Sequence, residues 1–174
     1  MAELRAADSE NRGLRTELAA ARELADRDPL TGLLNRRAFD RELTRTLAAC
    51  RRYGTGAALI YLDLDGFKAV NDRRGHAAGD DILVKVADVL RASVRLSDSV
   101  ARLGGDEFAL LLDRADQRAA EIKAKIVSAG IEAATAGAVG ASSGVRAYEP
   151  GMTPEQMLAE ADAAMFVRKS ERRR

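Results

Sequence analysis

A pair of adjacent glycines, Gly104–Gly105, interrupts a stretch of sequence that is otherwise mostly apolar. Apolar runs at 100–103 and 108–112 flank the pair, and adjacent glycines between two such runs predict a β-hairpin. Asp106 and Glu107 follow the glycines directly, so they fall at the tip of that hairpin. The chain must therefore fold around two paired strands that carry two acidic side chains at one end.

Before the hairpin, helical and strand patterns alternate. Phe39, Leu43 and Leu47 recur at helical spacing, and the apolar run at 57–64 is short enough for a buried strand. A short helix is predicted at 66–74, followed by a loop at 75–79. The next helix has a clear amphipathic face, formed by Ile82, Leu83, Val86, Val89, Leu90 and Val94.

After the hairpin, a helix is predicted around 115–129, with its inward face formed by Ala119, Ile122 and Ile126. Residues 133–147 are rich in alanine, glycine and valine, which predicts one or two weak strands. Thr153, followed by Pro154, is typical of a helix start. The inward face predicted for this last helix consists of Met157, Leu158, Ala161, Met165 and Phe166.

This order of elements predicts an α/β fold of the α+β sandwich type, with a central mixed, mainly antiparallel sheet of about five strands and helices on both faces. We expect residues 28–174 to form this domain and residues 1–27 to form an N-terminal helical stub.

The stub carries a heptad pattern. Its a positions are Leu4, Asn11, Leu18 and Ala25, and its d positions are Ala7, Leu14 and Ala21. An asparagine at an a position favours a parallel two-stranded coiled coil, so we expect a homodimer through this segment. The alternative is a solvated single helix, because two of the three d positions are only alanine.

Composition narrows the classes of function. The net charge of +1 over 174 residues gives no broad field of one sign, which argues against DNA, RNA or a membrane surface as a partner. Cys50 is the only cysteine, so no intrachain disulfide or cysteine metal cluster is possible, and a reducing cytoplasmic setting is expected. No apolar run reaches the roughly 18 residues that a membrane span needs.

Two acidic clusters suggest the chemistry. Asp63 and Asp65 end the predicted strand at 57–64, and Asp106 and Glu107 lie at the hairpin tip. If the two strands are neighbours, the carboxylates converge, and a divalent cation such as Mg²⁺ removes the cost of their repulsion. This layout suits a two-metal nucleotidyl transfer. The alternative is that these acids are merely solvated at turns.

Other polar residues fit a nucleotide. Lys68, Lys169 and Arg173 are candidate triphosphate contacts. Asn71 and Asp80 together offer the donor and acceptor that a guanine edge requires. His76 is the only histidine, and we interpret it as structural, so no serine–histidine or cysteine–histidine triad is expected.

Five ordered segments resemble one family. The run Arg102–Phe108 contains the Gly-Gly-Asp-Glu-Phe signature of the GGDEF diguanylate cyclases, and the resemblance extends from residue 28 to about 173. It is carried also by Asp28–Phe39, by Asp63–Asp72, by Gly75–Asp80 and by Ala161–Lys169. The family resemblance implies a fold similar to that of nucleotidyl cyclases and polymerase palm domains.

The resemblance implies a role for each matching residue. The implied metal site, for Mg²⁺ or Mn²⁺, consists of Asp63, the Leu64 carbonyl, Asp106 and Glu107. Asp106, Glu107 and Asp63 would be catalytic, with Asp106 or Glu107 helping to deprotonate the ribose. The implied GTP-binding residues are Asn71, Asp80, Phe67, Leu83, Lys68, Gly104, Gly105, Lys169 and Arg173.

The implied reaction joins two GTP molecules into cyclic di-GMP across a dimer and releases two pyrophosphates. Arg95 and Asp98 match the family's Arg-x-x-Asp product-inhibition site, which implies that cyclic di-GMP binds there; the alternative is an ion pair at a helix end. A different class of function is a catalytically silent GGDEF module that senses GTP or cyclic di-GMP. A third is a purely structural dimerisation unit.

Overall fold

The computed structural model describes residues 25–172. Most of the predicted coiled-coil segment, 1–27, lies outside this range. Arg173 also lies outside it. Within it, five helices and four strands follow one another: α1 Arg36–Tyr53, β1 Ala57–Asp65, α2 Phe67–Arg74, α3 His76–Ala92, β2 Ser99–Arg102, β3 Glu107–Asp113, α4 Gln117–Ala134, β4 Gly140–Ala147 and α5 Pro154–Arg172.

The four strands form one sheet in the order β2-β3-β1-β4, and every neighbouring pair is antiparallel. The predicted fold class is confirmed, with four strands in the described residues where about five were expected. Residues 133–147 contribute a single strand because α4 continues through Ala134. The parallel component is an isolated bridge between Leu34 and Ala101 at the β2 edge.

Strands β1 and β3 lie at the centre of the sheet, and their register places the acidic residues. The pairing runs from Ala57 opposite Asp113 to Asp63 opposite Glu107. One step further, the Leu64 N–H donates to the Asp106 carbonyl at 3.1 Å. The predicted convergence of the two acidic clusters therefore follows directly from strand pairing.

Alternation along β1 divides the interior into two cores. Ile60 and Leu62 point to the face covered by α3 and α4, while Leu59 and Tyr61 point to the face covered by α1 and α5. Each fully buried aliphatic side chain contributes about 1.5–3 kcal/mol by leaving water. The expected placement of helices on both faces is confirmed.

Helix α3 begins earlier than predicted. The stretch 75–79, expected to be a loop, contains only one non-helical residue, because His76 is already the first residue of α3. Gly75 alone makes the turn from α2, with φ 82° and ψ 165°. Gly79 lies inside the helix, where the absence of a side chain leaves room for the Asn71 amide.

The inward face predicted for α4 is wrong. Its buried residues are Ala120, Ala124, Val127 and Ile131, whereas Ala119, Ile122 and Ile126 lie on the exposed side. This helix carries two apolar stripes, and the stripe with Ala120 and Ala124 facing inward is the one that packs against the sheet.

The prediction for α5 is largely correct. Met157, Ala161 and Met165 are buried and Leu158 is partly buried, but Phe166 is 68% exposed. The predicted cap is present, since the Thr153 hydroxyl accepts from the Gln156 N–H and the Gln156 side chain accepts from the Thr153 N–H. Among the described residues, no helix is long and apolar enough to span a membrane.

Gly144 lets α5 lie against β4. A Cβ at this position would overlap the carbonyl oxygen of Ala161 and the amide nitrogen of Met165, which are backbone atoms of α5.

We expect Gly144→Ala to lower the free energy of unfolding by about 3 kcal/mol or more, because a helix backbone cannot move aside as a side chain can. Urea denaturation measures this, with Gly105→Ala as the matched control because open space surrounds Gly105. Equal stability of the two variants would contradict the prediction.

Candidate functional site

The acidic residues meet where β1 ends and the β2–β3 hairpin turns. Asp63 and Asp106 are close enough that the charge of Asp63 acts on Asp106. Burial, followed by this repulsion, raises the pKa of the Asp106 carboxyl above its usual range. Two partly buried carboxylates therefore lie close together at the ends of the two central strands, and burial has removed part of their hydration.

A lysine from the last helix reaches into this cluster. The Lys169 ammonium pairs with the Asp63 carboxylate, and both side chains are largely shielded from solvent, at 18% and 14% exposed. The two residues are 106 positions apart in the chain. The structure therefore brings together Asp63, Asp106 and Lys169. The sequence predicts the two acids as metal ligands and the lysine as a phosphate contact.

Glu107 is turned toward the glycine pair and toward Tyr61. Its carboxylate rests on Gly104, where a Cβ would overlap Oε2. Burial, together with the negative charges of Glu107 and Asp162, raises the pKa of the Tyr61 hydroxyl to about 12. Sequence reasoning did not select Tyr61 as a site residue. Its position two residues before Asp63 on the same strand was the available signal.

Asp65 faces a different partner. The Ser142 hydroxyl on β4 donates to both oxygens of the Asp65 carboxylate, at 3.0 and 2.8 Å. Asp65 is therefore hydrogen-bonded to β4, whereas Asp63, two residues earlier on the same strand, pairs with Lys169 of α5. Ser142 thereby ties β4 to the end of β1 beside the acidic cluster.

An arginine clamp fixes the shape of the hairpin tip. The Arg102 guanidinium donates to the Gly104 carbonyl at 3.1 Å and to the Gly105 carbonyl at 2.8 Å, and it pairs with Asp28 at 3.2 Å. Although burial opposes it, hydrogen bonds from Thr31 and the charge of Arg102 lower the pKa of Asp28. The clamp thus joins the segment before α1 to the loop that carries Asp106.

The predicted base-reading residues lie together at the junction of α2 and α3. The Asn71 side chain packs on Gly79, immediately before Asp80 on α3. Leu83 and Phe67 are buried beneath this junction, at 2% and 9% exposed. Asp80 is exposed, as is Lys68 in the first turn of α2.

The residues present fit a divalent cation bound with a nucleotide. No group of three or more His, Cys, Asp or Glu side chains within residues 25–172 is arranged as a metal site by itself. Mg²⁺ typically takes one or two protein carboxylates and completes its shell with water and substrate phosphates. The mutual repulsion of Asp63 and Asp106 is what such a cation relieves, and the Lys169 ammonium supplies part of that positive charge here.

The Arg-x-x-Asp segment forms a turn between α3 and β2. The Asp98 carboxylate accepts from the Arg95 N–H at 3.0 Å and from the Asp113 N–H at 3.1 Å. Asp98 therefore holds backbone amides, whereas the Arg95 side chain is exposed. An adjacent groove of about 530 Å³ is lined by Arg27, Leu33, Leu34, Glu42, Arg91, Val94, Arg95, Leu96, Asp98, Ser99 and Val100.

Comparison with known proteins places the chain in a family. The family described as "Diguanylate cyclase, GGDEF domain" matches residues 25–174. The chain therefore belongs to the GGDEF family of diguanylate cyclase domains.

Two curated relatives from Pseudomonas aeruginosa are each 39% identical over 92% of the chain. They are the diguanylate cyclase TpbB and the bifunctional diguanylate cyclase/cyclic di-GMP phosphodiesterase MucR. The chain spans only 39% and 25% of the lengths of these proteins, respectively.

A solved structure has a similar fold. The coiled coil and GGDEF domain of DgcB from Caulobacter crescentus, crystallised in complex with c-di-GMP, superposes with a TM-score of 0.87 and is 31% identical to this chain. The match covers 98% of this chain and 94% of that one.

We expect Arg102→Ala to lower the free energy of unfolding by about 2 kcal/mol, because it removes the charge partner of the partly buried Asp28 carboxylate and the donor to the Gly104 and Gly105 carbonyls. Since the pKa of Asp28 is lowered in the folded state, this loss is full above the ordinary aspartate pKa and shrinks as pH falls through the folded value. Urea denaturation at several pH values measures it. Arg45→Ala, which breaks an exposed pair with Glu42, is the control and should cost under about 0.5 kcal/mol. Equal losses for both variants would contradict the clamp.

Proposed function

We propose that this chain is an active diguanylate cyclase domain that converts two GTP molecules into cyclic di-GMP and two pyrophosphates. The observation that carries the proposal is the joining of Asp63, Asp106 and Lys169 at one sheet edge. That arrangement supplies acidic groups for a metal ion and a cation for phosphate, beside a hairpin tip without side chains at 104–105. The family membership supports the same activity.

In the proposed reaction, each ribose 3′-oxygen attacks the α-phosphorus of the other GTP. The new P–O bond forms as the bond to the β-phosphate breaks, so pyrophosphate leaves, and the hydroxyl proton passes to a base. Asp106 or Glu107 is that base in this proposal. Mg²⁺ or Mn²⁺, held by Asp63, the Leu64 carbonyl, Asp106 and Glu107, would supply Lewis-acid stabilisation of the phosphates.

Binding of the nucleotide is assigned to the elements around this edge. Asn71 and Asp80 would read the guanine edge at the α2–α3 junction, with Leu83 and Phe67 forming the floor beneath them. Lys68, Lys169 and Arg173 would contact the triphosphate. Gly104 and Gly105 let the nucleotide approach the hairpin backbone closely.

One copy of the chain would bind only one of the two GTP molecules that react. A GTP bound at this edge needs a second GTP facing it, so two domains must meet for either bond to form. We propose that the 1–27 segment brings two copies together as a coiled coil and raises the effective concentration of one half-site for the other. The remainder of the chain, 28–174, is the catalytic domain in this proposal.

The second candidate is a silent GGDEF module that binds GTP or cyclic di-GMP without turnover. The chain keeps every acidic residue of the proposed metal site, namely Asp63, Asp106 and Glu107. A sensor would not require the costly placement of Asp106 beside Asp63, and this favours the active enzyme.

We expect Asp63→Asn and Asp106→Asn each to reduce pyrophosphate release from GTP at saturating Mg²⁺ by at least about 100-fold, because each removes a charge that the phosphate-bound metal requires. Asp106→Asn should also raise the Tm of the ligand-free protein slightly, on the order of 2 °C, since it removes a carboxylate whose ionised form is disfavoured by burial and by Asp63. Steady-state turnover and thermal denaturation measure the two effects.

The matched control is Asp88→Asn, an exposed aspartate on α3 outside the site, which should retain turnover. A wild-type dimer that is stabilised by GTP and Mg²⁺ but releases no pyrophosphate would show a silent sensor instead.

Product inhibition is proposed at the Arg95–Asp98 turn, where an exposed arginine fork borders a groove and can pair with a phosphate or guanine edge. The alternative of a helix-end ion pair is disfavoured because Asp98 is already engaged by two backbone amides.

We expect Arg95→Ala to raise the cyclic di-GMP concentration needed for half-inhibition by about tenfold or more, without loss of uninhibited turnover. Arg114→Ala, another exposed arginine, is the control. Unchanged inhibition in Arg95→Ala would show that the regulatory site is elsewhere.

A further inference from the structure

Helix α4 carries a second apolar stripe on its solvent side. Its members recur at intervals of three, four, three and four residues and are all exposed: Ala119, Ile122, Ile126, Ala129 and Ala133. Ile122 and Ile126 are 51% and 60% exposed, which is unusual for side chains of this size. Alternating spacing of three and four is the pattern by which one helix packs along another.

The helix cannot rotate to bury this stripe. Its inner face, including Ala124 and Ile131, is already packed against the sheet. On one flank, the Lys123 ammonium donates to the Ser93 carbonyl at 2.6 Å, and Gly130 lies against Val89 of α3. These contacts fix α4 with Ile122 and Ile126 exposed to solvent.

The other flank of the stripe carries charges in alternating order: Arg118, Glu121, Lys125 and Glu132. Arg118 and Glu132 each lie seven residues from Lys125, because 125 − 118 = 7 and 132 − 125 = 7. When two copies of this helix run antiparallel about an axis near residue 125, Arg118 of each copy lies opposite Glu132 of the other. Lys125 of each copy then lies near its own counterpart at the axis, with Glu121 of both copies one turn away, whereas in a parallel pair this flank would face the opposite flank, which carries Lys123.

The apolar residues have nearly the same centre. Ile122 and Ile126 are symmetric about position 124, and so are Ala119 and Ala129. The isoleucines would therefore meet near the two-fold axis, and the alanines on either side would let the helix backbones approach. A surface that matches itself in both shape and charge is what a two-fold interface between identical chains requires.

We propose that the exposed stripe of α4 is a self-association surface, on which α4 of a second copy of this chain packs antiparallel. The four flanking charges cancel, so the surface lacks the basic face that favours a lipid membrane as occupant. Only two large side chains are contributed by each copy, so the association is weak, with a dissociation constant above about 10 µM.

This contact is separate from the proposed catalytic site. Helix α4 covers the sheet face opposite to α1 and α5, whereas Lys169 approaches Asp63 from α5. Two copies joined through α4 therefore leave both acidic edges free to meet other copies. Self-association through α4 does not require catalysis, and a measurement of mass in solution detects it.

The experiment is sedimentation equilibrium of the full 174-residue chain from about 1 µM to 1 mM, without nucleotide. We expect the average mass of the wild type to rise with concentration. Ile122→Gln/Ile126→Gln should lose one association step, with its dissociation constant at least about tenfold higher. Both positions are exposed and glutamine is a good helix former, so folding, checked by circular dichroism, should be unchanged. Tyr53→Gln, a substitution of another exposed large side chain on α1, is the control and should behave as wild type.

Charge reversal tests the antiparallel arrangement. Arg118→Glu and Glu132→Arg should each weaken association by about fivefold, because each places like charges at both symmetry-related contacts, and the double variant should restore it. Identical mass curves for wild type and the double glutamine variant would overturn the proposal, as would a monomeric wild type throughout. Weakening by glutamine without rescue by the charge swap would overturn the antiparallel pairing proposed here.

Discussion

The antiparallel register between β1 and β3 positions every acidic residue of the proposed metal site. It places Asp63 opposite Glu107 and lets the Leu64 N–H donate to the carbonyl of Asp106. A shift of one residue would turn Asp63 to the other face of the sheet, away from α5 and Lys169. Both faces of β1 are buried against different neighbours, so a one-residue slip would exchange Leu59 and Tyr61 with Ile60 and Leu62 between two differently shaped cores and would carry Asp63 to the wrong face.

This arrangement has an electrostatic cost that other parts of the chain offset. The carboxylates of Asp63 and Asp106 repel each other while partly desolvated, as the raised pKa of Asp106 records. Lys169 offsets that repulsion only because α5 lies close to β4, an approach that Gly144 permits. Arg102 holds the hairpin tip in place from the opposite side. The site thus retains an unfavourable interaction between two carboxylates, of the kind that a bound divalent cation relieves.

Local patterns predicted most elements, and their failures have a common cause. The hairpin, the buried strand β1 and the capped helix α5 each follow from a few neighbouring residues, and all were predicted correctly. The inward face of α4 was not, because that helix has two apolar stripes and periodicity cannot rank them. The loop expected at 75–79 was wrong for a similar reason. Gly79 is required by the contact with Asn71, whereas a lone glycine in the sequence looks like a helix breaker.

Residue identity and short spacing are enough to show the family, the order of the motifs and the acidic residues of the candidate site. The partners that these residues meet follow only from the fold. Lys169 reaches Asp63 across 106 positions, Tyr61 lies under the charge of Glu107, and Ile122 and Ile126 remain exposed. The physical reason is that burial and charge pairing depend on how closely distant elements approach. Small residues such as Gly144 and Ala124 set that approach. The closeness that they permit depends on which surface packs against them.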